Sequence, residues 1–400
     1  MSNSTFNSFF TLKKDLTLQS MENNNTSTAQ LAFIPPKFST KVGGEFNATL
    51  KKRVRAYFKD NNISKYANAN MKFKTVFMLS LYFVPYFLMI TGTITNIWGV
   101  IACWALLGFG MAGIGMTIIH DANHGAYSKN KRVNYVLGRC VNLVGAFAPN
   151  WKIQHNVLHH TYTNIQHFDE DVDPPVPIIR FTPHDKLRPI HRFQFLYAWF
   201  FYSLMTAAWI TIKDWQSLFR YKKMGLTKNE NEKFSALFFE LLISKAVYYT
   251  YILVLPIIFL DIPWWGILLL LLMKQMISGF TLAIVFILAH VVPEAAFPLP
   301  DKDLKMENSW AIHQLETTSN FGPKSRIFQW FIGGLNYQVE HHLFPNICHV
   351  HYKKLSEIVK ATALEFGLPY YSEPTFFSAI RSHSKMLYKL GRPAPQVKSI

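Results

Sequence analysis

From Thr75 to Ile119 the chain runs for 45 residues without a single charge. No other feature constrains the fold as much. A helix crosses the hydrocarbon core of a bilayer in roughly 20 residues, so the run is too long for one span and suits two joined by a tight turn. Thr91 to Asn96 (TGTITN) supplies the turn. It holds no Lys or Arg, which assigns it to the outer side. The second helix then runs from near Trp98 toward His120. About 22 residues at 1.5 Å each rise roughly 33 Å, so His120 emerges at the cytosolic surface.

Phe234 to Ala289 repeats the plan. Its turn, Asp261 to Pro263, again lacks Lys and Arg, and a helix from Trp264 delivers His290 to the same side as His120. The expected architecture is an all-α integral membrane protein of two transmembrane helical hairpins. Its spans lie at about 75–94, 98–119, 236–260 and 264–289, beneath a cytosolic helical cap. Half of the residues are hydrophobic and only 16% are charged, against about a quarter in soluble domains. The net charge of +17 fits a positive-inside bias, with docking of anionic headgroups or of an acidic electron donor as a sharper reading. Nucleic-acid binding is not expected, because no basic helix or stacking module stands apart from the apolar spans. Cys103, Cys140 and Cys348 are scattered, so no disulfide framework, thiolate zinc site or iron–sulfur site is legible.

Residues 1–70 read as a polar leader without a signal peptide, disordered to about residue 30. It ends in a basic juxtamembrane segment that contains Lys51 to Arg55 (KKRVR), for which a merely solvated helix is an equal reading. Residues 71–375 form the membrane domain, and 376–400 a basic tail. Asn134 to Ala148 is apolar but short, which suits an interfacial helix. Phe168 to Pro175 (FDEDVDPP) reads as a solvated acidic loop in preference to a support for metal ligands. Phe193 to Ile212 is apolar enough to span. A crossing there would carry the last histidine cluster to the wrong face, so a membrane-surface helix is expected. Lys245 and Lys274 fall inside spans. Snorkelling accounts for Lys245, and the sequence offers no account of Lys274.

Three histidine clusters remain: His120 to His124 (HDANH), His155 to His160 (HNVLHH) and Gln338 to His342 (QVEHH). Side chains three and four apart share one helical face, so each cluster aims two or three imidazoles at one point. Imidazole suits zinc, copper, iron and nickel. Seven histidines exceed what one tetrahedral zinc needs, and two metals match the number better. No Glu-x-x-His pair of the carboxylate-bridged type occurs. The ligand candidates are His120, His124, His155, His159, His160, His341 and His342, with His290 as an eighth and His313 in reserve. Gln338 stands at ligand spacing, but an amide binds iron weakly, so a supporting or water-bridged role is expected. His167, His184, His191, His349, His351 and His383 read as surface or supporting residues.

With these residues in view, the chain resembles the membrane fatty acid desaturases over about 70 to 375. HDANH, HNVLHH with the following TYTN, and QVEHH match that family's three boxes. A third box that begins with Gln338 resembles the front-end subgroup of delta-6 or linoleoyl-CoA type. The resemblance implies two iron ions, dioxygen as oxidant, and an acyl-CoA or acyl-lipid substrate that gains a cis double bond. Many eukaryotic members carry a fused cytochrome b5 domain with a His-Pro-Gly-Gly motif. Here only Val42-Gly43-Gly44 is present. A separate donor is therefore expected, ferredoxin or free cytochrome b5 with its reductase, in a bacterial inner membrane with the site facing the cytoplasm. Regiochemistry would come from a bent apolar tunnel, for which Trp151 is a candidate wall. A hydroxylase or sphingolipid desaturase on the same scaffold is the alternative enzyme, and a membrane zinc-binding protein the alternative that is not an enzyme.

Overall fold

The computed structural model describes residues 33–173, 176–230 and 233–393. The proposed disorder of residues 1–30 lies outside them. Among the described residues, four helices are long and apolar enough to cross a membrane: Ala69–Ile90, Ile97–Asn123, Phe234–Phe259 and Trp264–His290. Asn68 and Asn96 cap the first two by accepting from the backbone N–H groups of Met71 and Gly99. Such side-chain caps satisfy donors that a helix start leaves unpaired. The first turn is closed by Gly92 at a φ of 72°.

The second and fourth spans run parallel and pack closely. A Cβ on Gly108 would stand 2.9 Å from Ile277 Cβ, and Ser278 donates to the Gly108 carbonyl at 2.7 Å. Small residues bring helix backbones together where lipid provides no hydrophobic drive. Both helices have 27 residues, roughly 40 Å against a core of roughly 30 Å. The excess of roughly 10 Å is enough to carry a histidine-bearing end past the hydrocarbon core.

The apolar stretch between the hairpins does not form a straight span. Pro189–Ser203 and Met205–Lys223 meet at a bend of 52°. The bend lies against the fourth span, where Thr206 donates to the Gln275 carbonyl at 2.7 Å.

Lys245 corrects the snorkelling expectation. It is buried and bonds Asp214 at 2.6 Å and the Gly145 carbonyl at 2.6 Å. An ion pair to the bent segment replaces water as its partner. Lys274 is fully buried. Its ammonium meets the Tyr248 hydroxyl at 3.1 Å and lies over the Tyr82 and Tyr248 rings.

Outside the spans, Gly44–Asp60 turns Phe46, Leu50 and Val54 inward and packs on Tyr352–Glu365. The basic segment is thus part of the cap and not a freely solvated helix. The tail is likewise a built element. Phe376–Leu390 buries Ala379, His383, Met386 and Leu387 against the fourth span and Gln194–Ser203. Residues 394–400 lie outside the described residues. One pairing was not foreseen in an all-α reading: Ser319–Phe321 lies parallel to Tyr371–Glu373, Ser319 opposite Tyr371.

Candidate metal centre

The fold brings all three histidine clusters and His290 together. His120, His124, His155 and His341 each offer a nitrogen within 4.8 Å of the others. His159, His290 and His342 form a second such group, and His160 with His341 and His342 a third that joins the two. All eight are buried except His124, which is half-buried.

Helix geometry departs from the α-helical spacing argument. Gly115–Ile119, just before His120, is π-helical, and so is Ile153–His159. A π turn places residues five apart side by side. His155 Nε2 and His160 Nε2 accordingly approach to 3.2 Å. The apolar pattern around these turns looks α-helical, so the sequence could not reveal them.

The third box is seated by Gly333. Its φ is 65°, and a Cβ there would fall 2.3 Å from the Met116 carbonyl oxygen. Only glycine lets this chain pass so close to the second span, one turn before His120. From there Gln338–Leu343 turns His341 and His342 into the centre. Glu340 points away, toward Asn320 at 2.8 Å and Tyr370 at 3.0 Å. Burial raises its carboxyl to about 7.

The ring nitrogens are sorted. His159 Nδ1 meets Asp169 at 3.1 Å, His290 Nδ1 the Thr317 carbonyl at 3.2 Å, His341 Nδ1 the Tyr352 hydroxyl at 3.2 Å, and His342 Nδ1 the Gln314 amide oxygen at 2.7 Å. Carboxylate, carbonyl and amide oxygens can only accept, so Nδ1 of His159, His290 and His342 donates, and in an unprotonated ring this leaves Nε2 as a bare lone pair. His341 Nε2 lies 3.1 Å from His120 Nε2 and 2.8 Å from His160 Nε2. Among the described residues, the buried Nε2 atoms of His124, His290 and His342 have no hydrogen-bond partner. Lone pairs that converge this way repel one another unless a cation lies between them. The donor set fits metal ions that imidazole prefers.

Burial, reinforced by neighbouring imidazoles, holds His155, His160, His341 and His342 well below the usual histidine range. They are neutral, as metal ligation requires. His159 differs. Burial pulls it down, but Asp169 and Asp171 outweigh that and raise it to about 9.

The acidic loop therefore corrects the solvated reading. Asp169 is fully buried on His159, and Asp171 lies 3.4 Å from the same nitrogen. An Asp ten residues after His159 was the one available clue. His349 is also buried, linking Asp121 at 2.9 Å to Lys74 at 2.7 Å. His191 and His383 are buried in the cap, bonded to the Pro177 carbonyl and to Tyr202 with the Val291 carbonyl. His167 and His184 are exposed, and His351 is partly buried against Phe58. His313 belongs to none of the metal groups. Its Nε2 is occupied by the Thr163 carbonyl at 2.8 Å. Gln338 sits beside His290, its amide nitrogen without a partner. Trp151 lies over His155, ring centres 4.5 Å apart, and against His120 and His124.

Comparison with known proteins decides the family. The sequence profile described as "Fatty acid desaturase" matches residues 95–374. The chain belongs to the fatty acid desaturase family. It is 36% identical over 351 residues to an acyl-lipid (8-3)-desaturase of Physcomitrium patens, covering 87% of this chain and 72% of that protein. It is 35% identical to an sn-1 linoleoyl-lipid 6-desaturase of Arthrospira platensis, covering 91% and 96%. The protein of the same name from Synechocystis is 33% identical, covering 89% and 98%. This desaturase is an oxidoreductase of the membrane, and its histidine clusters span the matched region.

Proposed function

We propose that this desaturase places a cis double bond in a lipid-linked acyl chain, between an existing double bond and the carboxyl end, with two iron ions held by eight histidines. One observation carries the reading: eight imidazoles from four separate segments converge in two groups, and a third group joins them by taking His341 from one and His342 from the other. The names of the similar proteins supply the substrate class and the front-end position.

His120, His124 and His155 would hold one ion, and His159, His290 and His342 the other, with His160 and His341 between them. Bound iron supplies the activation of dioxygen and the oxidation of an unactivated C–H bond, which no side chain does alone. The protein's own part is orientation and exclusion of water. Asp169, Thr317, Tyr352 and Gln314 fix four rings through Nδ1, so each Nε2 is set before metal arrives. Trp151 closes the wall beside His120, His124 and His155, and so shields reacting carbons from solvent. Gln338 supports the His290 side of the centre. A cytoplasmic site is supported by the two histidine-distal turns, which lack Lys and Arg.

The test is the fatty acid profile, with double-bond positions, of a host fed linoleic and alpha-linolenic acids. New bonds on the carboxyl side of the existing ones are expected. Hydroxylated chains, altered long-chain bases or bonds toward the methyl end would overturn the reading.

A further inference from the structure

We propose that the exposed cations of Gly44–Asp60 and Tyr352–Glu365 form the docking face for a small acidic one-electron carrier protein, with Tyr352 as the link beneath it to the histidine centre. The proposal rests on the desaturase reading, because that reaction demands such a partner. Two adjacent methylenes lose two hydrogens while dioxygen becomes two waters. The four hydrogens in those waters require two protons and two electrons from outside the substrate. A one-electron carrier must therefore dock, deliver and leave twice.

The two helices lie antiparallel. Phe46 stacks edge-on with Phe366, Arg53 pairs with Glu365 at 2.7 Å, and Phe58 meets His351. Their outer surfaces carry Lys51, Lys52, Arg55 and Lys59, and Lys353, Lys354 and Lys360, all exposed. Only Lys354 among these seven has an ion pair among the described residues, with Glu357 at 3.2 Å. Exposed Glu45, Asp60, Glu357 and Glu365 lie on the same two helices, which thus carry eight cations against four acids, and a net positive field speeds the encounter with an acidic protein.

Lipid is the less fitting partner. Helices that lie on a bilayer expose apolar side chains, as Lys131–Leu143 does with Val133, Val136 and Leu143. Gly44–Asp60 hides its large apolar residues, and Tyr352–Glu365 exposes Leu364 alone. Beneath the cationic face the path inward is short. Tyr352 is fully buried, directly precedes Lys353, and bonds His341 Nδ1 at 3.2 Å. His341 belongs to two of the histidine groups.

The test measures binding of two probes, an acidic [2Fe–2S] ferredoxin and the soluble cytochrome b5 domain, to the full chain in neutral-lipid nanodiscs. At least one probe should bind, and weaken at least tenfold between about 20 and about 200 mM salt. Lys51→Glu with Arg55→Glu and Lys353→Glu should lose at least tenfold in affinity at low salt, with an unchanged melting curve. Single Lys52→Glu and Lys353→Glu exchanges should lose a few-fold each. Lys51→Arg with Lys353→Arg should bind like the wild type. Tyr352→Phe should bind the probe normally yet reoxidise it more slowly. Binding of neither probe, undiminished binding by the charge-reversed chains, or a loss confined to nanodiscs of anionic lipid would each overturn the proposal. Product formation by the wild type in the fed host would still support the desaturase reading in any of those cases.

Discussion

Asp169 shows what single residues contribute beyond the metal ligands. It accepts from His159 Nδ1 and from the Asn164 backbone N–H at 2.8 Å, so it fixes both the ring and the turn that follows. Asp169→Asn should lower iron affinity about 10–100-fold, read by metal titration, while the melting temperature changes little. The sequence offered this role only as the second reading, because an acidic run before two prolines looks like any solvated loop. Tyr352 and Gln314 were hidden for another reason: their bonds reach His341 and His342 across 11 and 28 residues, with no periodicity to betray them. The ligands themselves were legible, since three clusters with repeated spacing outweigh any single histidine. His383 carries a pH prediction. Burial lowers it to about 4, and its Nε2 accepts from Tyr202 while Nδ1 donates to the Val291 carbonyl. A histidine depressed in the fold stays neutral there, whereas the unfolded chain takes up the proton below about 6.5. Its stabilising effect is thus complete above that pH and is lost as the pH falls toward 4. A shift of this size is worth at most about 3 kcal/mol. His383→Gln should flatten the fall in melting temperature over this window. An equal fall in both proteins would contradict the assignment.

At the scale of elements, the centre depends on where helices change type and where chains pass closely. The π turns before His120 and within the second box alter which histidines face inward. No residue pattern distinguishes them from α-helix in advance, because tertiary packing selects them. In the sequence Gly333 is only the first of two adjacent glycines; its purpose needed the Met116 carbonyl in view. Gly333→Ala should displace the third box, lower metal content by at least half and lower the melting temperature by several degrees. Gly225→Ala, at a φ of 77° with open space around it, should cost about 1 kcal/mol and leave metal content intact. Equal effects of the two would remove the argument from close approach. The bent segment after Pro189 joins the hairpins through Lys245 and Asp214. Its apolar composition suggested either a span or a surface helix, and parity of the histidines was needed to choose.

For the whole molecule, span length and parity made the architecture readable. Two hairpins with cation-free turns place His120 and His290 at one end, and the second box, which lies between the hairpins in the chain, brings the His159 ring centre to 4.8 Å from that of His290. The cap was harder to read. Its helices are amphipathic and short, and the leader and tail looked solvated because their apolar faces meet partners hundreds of residues away, as Arg53 meets Glu365. The central claim is that eight histidines from both hairpins and the cap build one centre for two iron ions. Its most direct test is the iron content of the purified chain after anaerobic reconstitution with ferrous iron. The account predicts two irons per wild-type chain and one or fewer in His290→Ala, with the fold intact by circular dichroism. A single tightly held metal in the wild type, or two irons retained in His290→Ala, would contradict it.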